Sequence, residues 1–278
     1  MPDNNLNPND LLKQGQEAYR EKDYEAAIAS YTQALSVIKQ EKLNPEEDTR
    51  LLSSIYPVLE NALHNALLLT HIQTRKLDLA LNNLTDALKI DSNNAGTYLN
   101  GGKLYQYKGD YPEALKYYQK AINLKDNQAH FYKGQIHYAL SQYKEALNEY
   151  IKGYAHLNPA KKQAIEHDIS SILQKSANYL LEIPKKDLLG AIMLLPTDKK
   201  IAVLTECLDK KTVLGERFHK KEGLTACSID KKGSNLGKAY AELMKLKPDF
   251  TMEKLGTSYQ PTPSEPNPEP PQSSKKMG

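Results

Sequence analysis

Lys108-Gly109-Asp110-Tyr111-Pro112-Glu113-Ala114-Leu115-Lys116-Tyr117-Tyr118-Gln119-Lys120-Ala121 is the stretch that decides the fold. From Glu113 to Leu124 the apolar residues Ala114, Leu115, Tyr118, Ala121 and Ile122 recur at helical spacing, without strand alternation. The Gly109-Asp110 step ahead of them supplies a helix stop followed by an N-cap. The pattern returns along the chain. With Ala27, Ala80, Ala114 and Ala146 as anchors, Tyr24, Leu77, Tyr111 and Tyr143 stand three residues before, and Tyr31, Leu84, Tyr118 and Tyr150 four after. Ala34, Ala87, Ala121 and Gly153 follow at seven, and Gly15, Leu68, Gly102 and Gly134 precede at twelve. The anchors are 53, 34 and 32 residues apart, the first interval being 34 plus a 19-residue insertion.

A period of this length reads as a repeated supersecondary unit that buries its apolar face only against its neighbours. Each unit is predicted to be a helix, a tight turn and a second helix, with small residues where the helices touch and bulky ones filling the gaps. Lys22-Asp23 repeats the turn chemistry, and Asp91-Ser92-Asn93-Asn94 and Asn158-Pro159 close two of the units. The repeat also accounts for an odd aromatic pool of 18 Tyr against 3 Phe and no Trp. Tyr24, Tyr31, Tyr111, Tyr118, Tyr143 and Tyr150 occupy helix-contact places, which leaves Tyr19, Tyr107 and Tyr138 as rings available to a ligand.

These residues resemble the tetratricopeptide repeat, a 34-residue helical hairpin; the quoted stretch and Lys22-Asp23-Tyr24-Glu25-Ala26-Ala27-Ile28 carry the resemblance. It implies an all-α superhelix of four repeats, at about 9–44, 45–92, 95–127 and 128–159, after a disordered start at 1–8. The insertion, with Glu46-Glu47-Asp48 following Asn44-Pro45 as a helix start, predicts long helices between repeats one and two, similar to immunophilin-type domains. Pro57 is expected to kink or restart the second of them. Residues 160–183 read as a capping helix with an apolar stripe through Ala164, Ile165, Ile169, Ile172, Leu173, Ala177, Leu180 and Leu181, ended by Pro184. Short helices at about 187–195, 198–208 and 234–246, with N-caps expected at Thr197-Asp198 and Ser234-Asn235, make 184–255 a small helical subdomain. From 256 to 278 the chain is a Pro-rich, disordered tail, with six Pro between 261 and 271.

The resemblance implies a concave surface lined by the first helix of each repeat and holding peptide ligands. Subtracting the helix-contact positions leaves Leu12, Gln16, Tyr19 and Arg20 in the first unit and Asn65, Leu69, Ile72 and Gln73 in the second. The third contributes Leu99, Lys103, Gln106 and Tyr107, and the fourth Phe131, Gln135 and Tyr138. Amides, aromatic rings and aliphatic groups dominate this set, and only Arg20 and Lys103 are charged. Family members that grip acidic C-terminal tails use two Lys, two Asn and one Arg as a carboxylate clamp; the matching places here are Leu12, Gln16, Asn65, Gly96 and Asn100, so only Asn65 is retained. Without the three cations a carboxylate loses most of its charge-assisted bonds, about 1.5–3 kcal/mol each. The expected ligand is an extended or helical peptide with apolar and aromatic anchors. The other reading of the same residues is that half of them pack against the long inserted helices.

Charge names no polyanionic partner. Net charge is +3, with residues 1–160 at −2 (17 basic, 19 acidic) and 161–278 at +5 (20 basic, 15 acidic). Four Arg among 37 basic residues disfavour specific nucleic-acid reading. The Lys pairs at 185–186, 199–200, 210–211, 220–221 and 231–232 read as a solvated face rather than a membrane-binding one, their acids being interleaved. The longest apolar runs are far short of the roughly 20 residues a membrane span needs, and the start of the chain has no secretory signal pattern. Cys207, His219 and Cys227 are too few and too widely spaced for a zinc site, and no nucleophile, phosphate-loop or dinucleotide motif is present. The chain is therefore expected to be a non-enzymatic adaptor for a protein or peptide, without cofactor or metal, and cytoplasmic. The alternative is a regulatory or catalytic C-terminal subdomain whose target the repeats recruit. A faint similarity of Leu214 through Ser228 to effector proteins of intracellular bacteria would make that a protein delivered into a host cell.

Overall fold

A computed structural model of the 278-residue chain describes residues 7–43, 50–175, 180, 183–209, 212, 214, 215, 218 and 234–248, without the side chains of 41, 43, 50–54 and 236. The expected helix start at Asn44-Pro45, the Pro-rich tail, His219, Cys227 and three of the five Lys pairs lie outside these residues. The chain divides into two compact units, Met1–Asp168 and Ile169–Gly278.

The first unit is a run of helical hairpins. Helices α1 (Pro8–Glu21) and α2 (Tyr24–Leu43) pair, as do α3 (Arg50–Gln73) with α4 (Leu77–Ile90), α5 (Ala95–Lys108) with α6 (Tyr111–Asn123), and α7 (Ala129–Ala139) with α8 (Tyr143–Gly153). The glycine and tyrosine places of the sequence repeat meet inside each hairpin. A Cβ on Gly15 would lie 2.3 Å from the Tyr31 ring, one on Gly102 2.4 Å from Tyr118, and one on Gly134 2.4 Å from Tyr150. All three rings are buried. In the second hairpin the small and large partners are replaced together: Leu68 and Leu84, both buried, belong to one core. Two medium side chains there fill the space that a glycine and a tyrosine fill elsewhere, so packing density is kept with different shapes.

Each hairpin turns through one left-handed residue at the same register. Lys22 (φ 67°), Arg75 (φ 60°), Gly109 (φ 79°) and Ser141 (φ 58°) stand five residues before the anchors. The amide of the next residue closes the turn on the preceding helix, as in Asp23 N to Ala18 O (2.9 Å), Lys76 N to His71 O (2.8 Å), Asp110 N to Tyr105 O (2.9 Å) and Gln142 N to His137 O (2.8 Å). The Asp23 and Asp110 carboxylates then cap the following helices, accepting from Ala26 N and Glu113 N.

The long helices α2 and α3 have 20 and 24 residues, against 14 or fewer in the other hairpins. Helix α3 runs through Pro57 as one helix, so the restart, one of the two expected outcomes, does not occur. Pro57 is exposed while its neighbours Tyr56 and Leu59 are buried, so the ring and the lost backbone bond face solvent while the apolar stripe stays continuous. Helix α9 (Pro159–Leu173) begins in the first unit, where Tyr150 Oη donates to Asp168 and Tyr154 Oη to Glu166 Oε1 (2.9 Å). Its stripe residues Ile165, Ile169 and Ile172 are buried.

In the second unit, α10 (Lys185–Ile192), α11 (Thr197–Leu208) and α12 (Asn235–Leu246) pack on one another around Leu188, Leu204, Leu208, Ala239 and Leu243. Ser234 caps α12, accepting from Gly237 N (2.9 Å). Thr197 does not cap α11: it is the first helical residue, and Pro196 holds the cap position without a side-chain bond. The chain thus has the all-α repeat architecture expected, with a small helical C-terminal part.

Candidate ligand-binding groove

The first helices of successive hairpins lie side by side, α1 against α3, α3 against α5 and α5 against α7. Two adjoining hollows of about 650 Å³ each open along this face. Tyr19 of α1 and Leu69 of α3 line both, so the hollows form one groove.

The first hollow has an apolar floor of Ala62, Ala66 and Leu69, with Val58 at its edge, and an amide wall. Asn in a helix interior is disfavoured unless its amide finds partners other than its own backbone. Here three of them, with Asn94 at the N-cap of α5, form a ladder. Asn61, buried, donates to Ala87 O (2.8 Å) and accepts from Asn65 Nδ2 (3.0 Å) and Asn94 Nδ2 (3.1 Å). Asn65 also donates to Thr97 Oγ1 (2.8 Å) and accepts from Asn100 Nδ2 (3.1 Å). Asn100 Oδ1 in turn accepts from Lys103 Nζ (3.3 Å). Each amide fixes the next, so α3 and α5 are joined by polar bonds worth about 0.5–1.5 kcal/mol apiece. Arg20 stands exposed at the mouth and makes no ion pair among the described residues.

The second hollow is walled by four tyrosines from four helices, Tyr19, Tyr107, Tyr111 and Tyr132, over Leu69 and Ile72. Tyr107 is 48% exposed. The Gln106 carbonyl oxygen accepts the Tyr118 hydroxyl (2.6 Å), which leaves the Gln106 NH2 as a donor with a fixed orientation. Tyr19 is hydrogen-bonded with Gln73, although burial outweighs that bond and lifts its phenol above the ordinary range. Lys103 Nζ sits 5.1 Å from the Tyr132 ring centre, so its charge is shared between that ring and Asn100.

Of the residues expected at the groove, Gln16, Tyr19, Arg20, Asn65 and Leu69 line the first hollow; Ile72, Gln73, Lys103, Gln106, Tyr107 and Gln135 join Tyr19 and Leu69 at the second. Four line neither. Leu12 packs half-buried against the first core, Leu99 and Phe131 are buried, and Tyr138 lies half-buried with its ring 5.9 Å from Tyr143. Sequence reasoning missed Asn61, Asn94, Tyr111 and Tyr132. The two asparagines carried a signal, one in a helix interior and the other at a helix start beside it in the fold. The two tyrosines carried none: Tyr111 stands at a helix-contact place of the repeat, and Tyr132 on a first helix outside the positions assigned to the groove.

Cys207 is fully buried in the second unit, and burial, with the Glu206 charge, pushes its thiol well above the ordinary range. Such a thiol is not a nucleophile at neutral pH. Among the described residues no three His, Cys, Asp or Glu side chains gather as a metal site, and no helix is long and apolar enough to cross a membrane.

A stack of helical hairpins with a groove along its first helices defines a helical repeat protein. Residues 11–41 and 99–162 each match the tetratricopeptide-repeat family. Those stretches carry tetratricopeptide repeats, which in general support a scaffold for protein–protein interaction. The chain is 27% identical over 165 residues to the DnaJ homolog subfamily C member 7 homolog of Dictyostelium discoideum, which is 59% of this chain and 27% of that protein's length. A solved tetratricopeptide repeat protein from Parabacteroides merdae aligns over 90% of this chain and 96% of its own, at 14% identity and a TM-score of 0.39.

Proposed function

We propose that the chain is a non-enzymatic adaptor that captures a peptide segment of a protein partner in the groove of α1, α3, α5 and α7. The observation that supports this best is the lining. Two adjoining hollows present apolar floor, aromatic rings and oriented amides, with Arg20 and Lys103 as the cations and no acidic side chain among the lining residues. Rings and aliphatic floor supply anchoring area, and the amides satisfy peptide groups that would otherwise lose water without compensation.

The groove works without a carboxylate clamp. At the places where clamp cations stand in other members, Leu12 is apolar and packs half-buried against the core, Gly96 has no side chain, and Asn100 is bonded into the amide ladder. An acidic C-terminal tail therefore finds little to hold it.

Selection of a random peptide library on the full chain tests both statements. Binders are expected to be lost, about tenfold or more, on Leu69→Glu, which places a charge on the shared floor. Leu69 is only half-buried, whereas a charge at the buried Ile72 would unfold the hairpin. Binders indifferent to Leu69→Glu would move the binding surface elsewhere. A peptide ending in an acidic tail is expected not to compete with them, and competition would restore the clamp.

A further inference from the structure

We propose that the groove's ligand is a partner protein's proline-rich, extended segment, which carries a carboxylate. This rests on the groove being the binding surface and adds the chemical class of what it binds. The backbone of a polyproline II segment makes no internal hydrogen bonds, so all of its carbonyls are open to donors from outside, and its shape is largely set before binding. The second hollow answers both properties. Tyr19, Tyr107, Tyr111 and Tyr132 line it from four helices, and aromatic-lined grooves are what proline-rich segments dock into. Gln106 is held by the Tyr118 hydroxyl so that it presents N–H groups rather than its oxygen. A helical ligand would satisfy its own backbone and leave these donors idle. A pairing strand would need an edge strand, and the described residues contain only helices and turns.

The carboxylate follows from charge. The only charged residue lining each hollow is a cation, and the two differ: Lys103 is already engaged with Asn100 and the Tyr132 ring, while Arg20 is exposed and makes no ion pair among the described residues. An acidic side chain on the ligand reaches Arg20 at the first hollow while the prolines occupy the second. Tyr19, which lines both hollows, joins the two contacts.

The test is fluorescence polarisation with the full chain and a labelled peptide of about twelve residues, all proline except two glutamates. Binding is expected to weaken about tenfold on Tyr107→Ala, a substitution at a half-exposed ring that leaves the fold intact by circular dichroism. Arg20→Gln, or glutamine for the two glutamates, is expected to weaken it several-fold and to flatten its salt dependence. Serine in place of the prolines, with the glutamates kept, should lose about tenfold or more. Equal affinity for the serine peptide overturns the proline assignment, and an unchanged salt dependence in Arg20→Gln overturns the carboxylate. If library-selected peptides are sensitive to Leu69→Glu yet lack proline, the groove stands and its ligand class falls. If no peptide of any class is sensitive to Leu69→Glu, the groove falls with it.

Discussion

The meeting of Gly102 with Tyr118 can be exchanged for the pair the second hairpin uses. A Cβ on Gly102 would stand 2.4 Å from two Tyr118 ring carbons and 2.9 Å from a third, where carbon atoms pack at about 3.5–4.0 Å. The ring cannot retreat: it is fully buried, stacked on Tyr132 at 5.6 Å, and its hydroxyl is bonded to Gln106. Gly102→Leu alone should therefore cost about 3 kcal/mol, the upper end of overpacking. Tyr118→Leu alone removes a buried ring and a hydrogen bond, for about 3–4 kcal/mol. Added together, the two losses approach 6–7 kcal/mol. The double variant instead recreates the Leu68/Leu84 pair, whose two side chains are 0% and 1% exposed. It should lose only about 3–4 kcal/mol, a favourable coupling of roughly 3 kcal/mol. Two compact units do not guarantee one cooperative transition, so the readout is hydrogen exchange of α5 and α6 amides, resolved by mass spectrometry. A double variant that exchanges as fast as the sum of the singles requires would refute the idea that these positions are one packing unit.

Other expectations follow from the turns and the buried ionisable groups. Lys22→Gly should raise the melting temperature, by about 0.5–1 kcal/mol of stability, because Lys22 is exposed and holds φ 67°, and Gly109→Ala should lower it by a similar amount; a lower melting point for Lys22→Gly would count against the turn argument. Glu149 is buried beside His130 (2.6 Å), Lys133 (3.3 Å) and Lys152 (3.3 Å); burial alone would raise its carboxyl, but the His130 bond and the lysine charges outweigh it and hold it below 4.5. Its contribution is therefore present above 4.5 and lost as pH falls through the lowered value, and Glu149→Gln should flatten the acid limb of the urea midpoint. Asp168 has the opposite sign: burial lifts it above 3.8 against the Tyr150 bond and the His167 charge, so its contribution is full below 3.8 and lost as pH rises through the raised value, and Asp168→Asn should steepen that limb. His71 is buried with Nδ1 unpartnered, and burial, with the Lys76 charge, holds it below 6.5, so stability is lost as pH falls beneath 6.5; His71→Leu should remove that loss and add about 1 kcal/mol, whereas a weaker protein would point to a partner for that nitrogen.

The fold was legible where one residue type does one job at fixed spacing, and the groove was not, for a physical reason. Gly15, Gly102 and Gly134 and their tyrosine partners are sixteen residues apart in every case, so both sides of each contact recur together and the repeat announces itself. The turns also share a left-handed residue, yet only Gly109 shows it as a glycine, the first turn being signalled by Asp23 instead. Lys22, Arg75 and Ser141 adopt the same left-handed conformation because the helices on either side fix it, and packing absorbs a cost that glycine would avoid. A groove has no such internal partner. Positions found by subtracting helix contacts fall into two kinds, those facing open space and those facing the next hairpin, and the subtraction does not separate them. Leu99 and Phe131 are of the second kind and are buried. Tyr111 and Tyr132 show the converse: each packs against helices with part of its ring and gives the rest to the hollow. In a stack of hairpins the residues that hold neighbours together also form the walls between successive sites, so the binding surface is specified by the spaces that packing leaves. That is why the amide ladder, whose members are bonded to one another across two hairpins, could be seen only after α3 and α5 were placed side by side.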